Sequence, residues 1–178
     1  GNVCSVANSY LRFEQPRSLF AAMSFGNCGY AFPVACGAKI ASPDRPAIAY
    51  VGDGAWGISL NELLTCAREK IGVTVVVFNN DQWGAKKKNH DDCYSQRFNA
   101  VDLDNPSWAA VAQAFGCEGA TIDKLSDVGP ALQAAVQAQA AGKCTVLEMM
   151  LTQELGDPFR RDALSKPVRY LEKYQAYT

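Results

Sequence analysis

The sequence has one histidine, His90, in 178 residues. A zinc triad or a Ser-His-Asp relay would have to rest on that one imidazole, which argues against both. The seven cysteines (Cys4, Cys28, Cys36, Cys66, Cys93, Cys117 and Cys144) are odd in number, widely spaced and never arranged as C-x-x-C. That pattern argues against a disulfide framework or a cysteine-based zinc site. It reads instead as reduced, partly buried thiols in a cytoplasmic protein. Charge of one sign is also missing: Lys and Arg number 17 against 18 Asp and Glu, for a net charge of -1. Nothing in that balance attracts nucleic acid or an anionic membrane surface. No apolar run approaches the ~20 residues of a membrane span. Internal repeats and low-complexity tracts are absent too. What is present is an ordinary globular balance, 48% hydrophobic and 20% charged, in a length that suits about one domain.

The patterning is that of alternating strands and helices. Ser5 to Phe13 is expected as a short amphipathic helix ended by Pro16. The loop Ser24 to Pro33 carries Gly26 and Gly29 and leads into a small-residue helix over Val34 to Ala41. Ala47 to Val51 and Val73 to Phe78 read as buried strands, the second β-branched and apolar on both faces. A helix over Leu60 to Lys70 lies between them, with Gly72 as its left-handed stop. Residues 81 to 105 read as polar and irregular. Asn105 or Ser107 can cap a helix running to Phe115. A weaker strand over Cys117 to Ile122, a helix over Ser126 to Ala141 capped by Gly142, and a strand over Cys144 to Met150 complete the pattern. The expected fold is an open α/β parallel sheet with helices on both faces. The expected boundaries are a domain over 1-152 and a charged tail over 153-178. Because Gly1-Asn2 looks like the middle of a structure, the chain reads as a fragment of a longer one.

Gly52-Asp53-Gly54 and Asn79-Asn80 each stand at the carboxyl end of an expected strand. A helix of about 13 residues runs roughly 20 Å back along the sheet, and a strand of about six residues returns the same distance. Asp53 and Asn80 should therefore meet at the crevice where open α/β sheets bind ligands. One carboxylate and one amide oxygen suit Mg²⁺, a hard cation that completes its octahedron with waters and substrate phosphates. A diphosphate ligand follows, facing the free N-H groups of the helix after Gly54. Gly54 and Ala55 are the expected main-chain donors, and Gly52 and Gly54 allow close approach and positive φ. A dinucleotide-binding module would instead need a G-x-G-x-x-G after the first strand and an acidic ribose partner after the second, where Asn79-Asn80 stands. A subunit-interaction domain without ligand is the other non-catalytic alternative.

Gly52-Asp53-Gly54, a spacer of this length and Asn79-Asn80 together resemble the signature of the thiamine diphosphate enzymes. Gly26-Asn27-Cys28-Gly29-Tyr30-Ala31-Phe32-Pro33 followed by Gly37-Ala38-Lys39 resembles the stretch before that signature in the acetolactate synthase and pyruvate oxidase group. The start of the chain is similar to one branch of the group, the sulfoacetaldehyde acetyltransferases. So is its end, Leu155 to Leu164 with Lys166-Pro167-Val168. The resemblance implies thiamine diphosphate and Mg²⁺ as cofactors. Asp53 and Asn80 would bind the ion through their side chains, and Gln82 through its main-chain oxygen. Gly52, Gly54 and Ala55 would lie at the diphosphate, with Asn2 near it. The Gly26 carbonyl would accept from the aminopyrimidine. Cys28 stands where the group usually places a larger apolar prop, a departure that Tyr30 would have to share. The activating glutamate is expected outside this chain, on a pyrimidine-binding domain of the same or a second subunit in a homodimer or homotetramer. Glu62 is read as structural, and the isolated chain is expected to be inactive. The branch implies conversion of sulfoacetaldehyde and phosphate to acetyl phosphate and sulfite. An acetolactate synthase-like carboligase or a 2-oxoacid decarboxylase is the alternative within the group.

Several residues stay open at this level. Lys86, Lys87 and Lys88 either face a sulfonate or phosphate or are solvated. His90 is either a proton donor or a surface residue. Arg160 and Arg161 either clamp an anion or form subunit salt bridges. Trp56 and Trp83 either wall a pocket or pack in the core.

Overall fold

A computed structural model describes residues 1-154. Arg160, Arg161 and the tail segments that resemble the acetyltransferase branch lie outside the described residues. Four strands form one all-parallel sheet in the order β1-β2-β4-β3: β1 (Ile48–Gly52), β2 (Thr74–Asn79), β3 (Glu118–Ile122) and β4 (Thr145–Met150). Central β2 is apolar because it is covered on both sides. One face buries Phe32, Trp56, Leu63, Val75, Val77 and Val146 under α2 (Ala31–Ala41), α3 (Asp53–Ser59), α4 (Leu63–Glu69) and α6 (Trp108–Ala114). The other face buries Val76, Leu147 and Met149 against α7 (Leu125–Ala138). The expected open sheet with helices on both faces is therefore the observed one. Two further helices, α1 (Asn2–Tyr10) and α5 (Gly84–Cys93), frame the carboxyl edge of the sheet. No helix among the described residues is long and apolar enough to cross a membrane.

Five local expectations are corrected. Helix α1 starts at Asn2 and gives way at Leu11 to extended backbone, so Pro16 lies beyond its end. Helix α2 begins at Ala31, three residues before the expected Val34. A helical segment also begins directly at Asp53, ahead of Leu60, with a 3-10 turn over Leu60–Glu62 joining α3 to α4. An acidic residue in the first turn of a helix is favoured by the helix dipole, which accounts for so early a start. Lys70 takes the left-handed stop of α4, at φ 53° and ψ 44°, in place of Gly72. Gly72 is needed for a different reason: a Cβ there would lie 2.4 Å from the Gln139 carbonyl oxygen. Finally, residues 81-105 are not irregular throughout, because they contain α5. That helix has no apolar period to reveal it. Ion pairs at helical spacing support it, from Lys88 to Asp91 at 3.2 Å and to Asp92 at 2.6 Å.

Candidate functional site

The register of β1 on β2 puts Gly52 beside Phe78, so the chain leaves both strands at neighbouring points. Asp53 opens α3 there and is only 3% exposed. Its carboxylate accepts the Gly54 N-H and the Asn105 amide, each at 2.9 Å. The backbone N-H groups of Asn80 and Asp81 also help to hold its charge. The structure thus brings Asp53 and the Asn79-Asn80 turn together, as the helix-and-return-strand geometry requires. Burial pushes the Asp53 carboxyl above its usual range, against the lowering pull of those donors. A cation beside it would relieve that cost.

After Asn80 the chain turns sharply, with Asp81 in the left-handed region at φ 53°. The turn is held by Trp83 N-H donating to the Val101 carbonyl at 2.7 Å and Leu103 N-H donating to the Asp81 carbonyl at 2.8 Å. Gln82 is buried by it. The Gln82 main-chain oxygen accepts the Gly84 N-H at 2.9 Å and keeps a second lone pair. Its side-chain nitrogen donates to the Gln153 carbonyl at 3.0 Å, and its buried Oε1 has no partner among the described residues.

The sequence reading missed two residues of this site. Asn105, read only as a candidate helix cap, places its amide nitrogen 2.9 Å from Asp53 Oδ2, 3.1 Å from Asn79 Oδ1 and 3.0 Å from Asp81 Oδ1. Ser107 is the cap of α6, accepting the Ala110 N-H. Behind Asn79 stands Glu148, a carboxylate 2% exposed in β4. It accepts from Asn79, the Trp108 and Ala109 N-H groups, and the Ser107 and Thr121 hydroxyls, at 2.9-3.3 Å. The only sequence signal for Glu148 is a lone charge inside an apolar strand.

Three helix starts converge on this edge. A Cβ built on Gly84, at the start of α5, would lie 3.5 Å from Asn80 Nδ2 and 3.6 Å from Asn2 Nδ2. Gly1 packs on Ala85, and Val3 packs on Gly52. Asn2, Asp53 and Gly84 therefore present the N-terminal ends of α1, α3 and α5 to one region, which favours an anion. The glycine roles differ from expectation. Gly52 has φ -75° and Gly54 has no positive φ, so neither uses left-handed backbone. A Cβ on Gly54 would instead lie 2.8 Å from the Trp83 ring. The Gly54 N-H is turned onto Asp53, while Ala55 is in the first turn, where N-H groups have no intrahelical partner. Gly57 completes a G-x-G-x-x-G spacing with Gly52 and Gly54, so glycine spacing alone does not distinguish this loop from a dinucleotide loop. The residues around Asp53 do.

The other candidates stand apart. Gly26 is in the left-handed region at φ 71°, and Cys28 is exposed. Their loop packs through Gly29 on Ile58, at the far end of α3 from Asp53. Lys87 pairs with Asp102 at 2.6 Å and Lys88 with Asp91 and Asp92, so both are engaged on the surface of α5. His90 lies between Tyr94 and Phe98, with a buried Nδ1 that has no partner among the described residues. Trp56 is core, tilted against Phe32 at 5.1 Å, whereas Trp83 covers Gly54. Glu62 accepts the Thr65 hydroxyl in the 3-10 turn. A groove lined by Lys39, Pro43, Lys70 and Gln139 opens at the opposite edge of the sheet and includes none of these residues.

The expected donor set is one carboxylate, one side-chain amide and one main-chain carbonyl, all hard oxygens. No three His, Cys, Asp or Glu side chains cluster to bind a metal among the described residues. The buried Asp53, the free lone pair on the Gln82 carbonyl and the converging helix starts fit a hard divalent ion carrying a diphosphate.

Comparison with known proteins gives the same direction. Residues 1-149 match the family model for the thiamine pyrophosphate enzyme, C-terminal TPP binding domain. The sulfoacetaldehyde acetyltransferase of Castellaniella defragrans is 63% identical over 179 residues, covering 100% of this chain and 30% of that protein. The enzyme of the same name from Alcaligenes xylosoxydans xylosoxydans is 62% identical over 178 residues, covering 99% and 30%. The chain thus spans about a third of the length of these relatives. The crystal structure of benzoylformate decarboxylase from Polynucleobacter necessarius superposes with a TM-score of 0.74 at 24% identity, covering 83% of this chain and 28% of that one. That likeness concerns the fold.

Proposed function

The chain belongs to the thiamine pyrophosphate enzyme family, as its C-terminal TPP-binding domain, and from that premise we propose that it forms the diphosphate- and Mg²⁺-binding part of a sulfoacetaldehyde acetyltransferase. The reaction is conversion of sulfoacetaldehyde and phosphate to acetyl phosphate and sulfite. The observation that carries the substrate assignment is 63% identity running through the whole chain. Residues 1-152 form the domain and 153-178 its tail, a division supported by the end of β4 at Met150.

In this reading the Asp53 carboxylate, the Asn80 side-chain oxygen and the Gln82 main-chain oxygen hold Mg²⁺. Gly52, Gly54, Ala55 and Asn2 line the diphosphate, and Asn105 fixes the Asp53 carboxylate from behind. Gly26 and Cys28, on the loop packed at the far end of α3, meet the aminopyrimidine. Thiamine diphosphate supplies the carbon nucleophile and electron sink of the reaction; the residues of this chain bind and orient it. The catalytic glutamate belongs to a pyrimidine-binding domain of the same or a second subunit in a homodimer or homotetramer. Exposed Phe20, Met23, Phe25 and Ile58 around the Gly26 loop support a covering partner there, since monomers rarely leave such residues grouped in the open. Seven unbridged thiols suit a cytoplasmic setting.

The test is sulfite release from sulfoacetaldehyde by the complete protein, with phosphate, thiamine diphosphate and Mg²⁺ each omitted in turn. The reading expects every omission to stop release and pyruvate to give no CO₂. CO₂ from pyruvate without sulfite from sulfoacetaldehyde would contradict the substrate assignment.

A further inference from the structure

Four of the seven cysteines meet where α2, α4 and the starts of β3 and β4 pack, a cluster with no place in the site above. Cys36 on α2 and Cys66 on α4 have sulfurs 3.4 Å apart, and both side chains are buried. Cys144 neighbours both Cys66 and Cys117, and each of the two bears on its thiol. The sheet register explains the Cys117 neighbour. Glu118 opposes Thr145, so one step earlier Cys117 opposes Cys144 on neighbouring parallel strands. Such strands lie about 4.8 Å apart. The row Cys117-Cys144-Cys66-Cys36 therefore starts at a half-buried residue and continues through three buried ones.

We propose that Cys36 and Cys66 form a reversible disulfide, and that Cys117 and Cys144 pass oxidation by hydrogen peroxide inward to them. The first step is attack of the Cys117 thiolate on the peroxide O-O bond, which gives a Cys117 sulfenic acid and hydroxide. Cys144 then attacks that sulfur, the S-O bond breaks, water leaves and a Cys117-Cys144 disulfide forms. Cys66 attacks the Cys144 sulfur and releases Cys117 as a thiol. Cys36 attacks the Cys66 sulfur and releases Cys144. The sum is two thiols and one hydrogen peroxide giving one disulfide and two waters. Each exchange joins neighbouring residues of the row, and the last pair has only to close from 3.4 Å to the ~2.05 Å of a disulfide. Cys66 is suited to the inner attack because the neighbouring thiols of Cys144 and Cys36 draw its own thiol below the usual range, which favours its thiolate over theirs. The bridge would tie α2, which follows the Gly26 loop, to α4, which continues the helix begun at Asp53.

The experiment treats the reduced full chain with hydrogen peroxide, removes the peroxide, denatures the protein in N-ethylmaleimide so that every remaining thiol is blocked, and maps peptides without reductant. The expected product is a Cys36-Cys66 linked peptide, reversed by dithiothreitol. Cys117→Ser should slow its appearance at least tenfold, and Cys4→Ser should leave the rate unchanged. Cys36 and Cys66 both labelled after peroxide has consumed exposed Cys4 and Cys28 would overturn the disulfide. A terminal Cys117-Cys144 bridge or a Cys117 sulfinic acid as the end product would also overturn it. An unaltered rate in Cys117→Ser would overturn the relay. The wild-type map decides the central point even if a variant fails to fold.

Discussion

A carboxylate as buried as Asp53 loses most of its hydration, and the donors around it do not restore all of it. The fold tolerates this cost where a cation is to bind. Asp53→Asn should therefore abolish Mg²⁺-dependent retention of thiamine diphosphate, measured by titration calorimetry on the complete protein. The same change removes a buried charge and should raise the metal-free Tm, read in thermal melts without added cation. Lower metal-free stability would show that Asp53 is structural. Gly54 makes a second residue-scale point. Its missing side chain makes room for the Trp83 ring. Gly54→Ala should cost about 1-3 kcal/mol through overpacking, and Trp83→Ala in the same chain should recover part of it. Denaturant melts of the two single variants and the double variant check this coupling.

At the scale of elements, Glu148 links β4 to the start of α6 and, through Asn79, to the end of β2. Burial pushes its carboxyl up. The Trp108 N-H, the Thr121 hydroxyl, the Asn79 amide and the Ala109 N-H together outweigh burial and hold it below the ordinary carboxylate range. A folded value below the unfolded one, about 4.3, means a stabilising contribution fully present above that pH. It is lost as pH falls through the folded value. Glu148→Gln should cost about 3 kcal/mol at neutral pH and flatten the acid limb of the stability profile. Urea melts from pH 3 to 7 test both. This element also marks the limit of what the sequence discloses. The strands were legible because Val73 to Phe78 and Cys144 to Met150 are apolar runs. Asp53 and Asn80 were legible because each stands at a strand end. The roles of Glu148 and Asn105 depend on partners 69 and 52 residues away in sequence. Only the folded sheet makes them neighbours. Helix α5 was hidden for another reason: its charged sequence has no buried stripe to set a period.

At the scale of the molecule, the site lies on the edge where three helix starts and the carboxyl ends of β1 and β2 meet. The exposed apolar residues lie toward the Gly26 loop. Phe25, 91% exposed, should be covered in the assembly. Phe25→Asp should weaken self-association in sedimentation velocity while leaving the far-ultraviolet spectrum of the chain unchanged. The central claim concerns one ion. In a crystal of the complete protein grown with thiamine diphosphate and Mn²⁺, the anomalous signal locates the metal directly. The account predicts a single peak at bonding distance from Asp53 and Asn80 side-chain oxygens and the Gln82 main-chain oxygen, with the diphosphate completing its shell. A peak elsewhere, or a bound cofactor whose ion touches neither Asp53 nor Asn80, would contradict it.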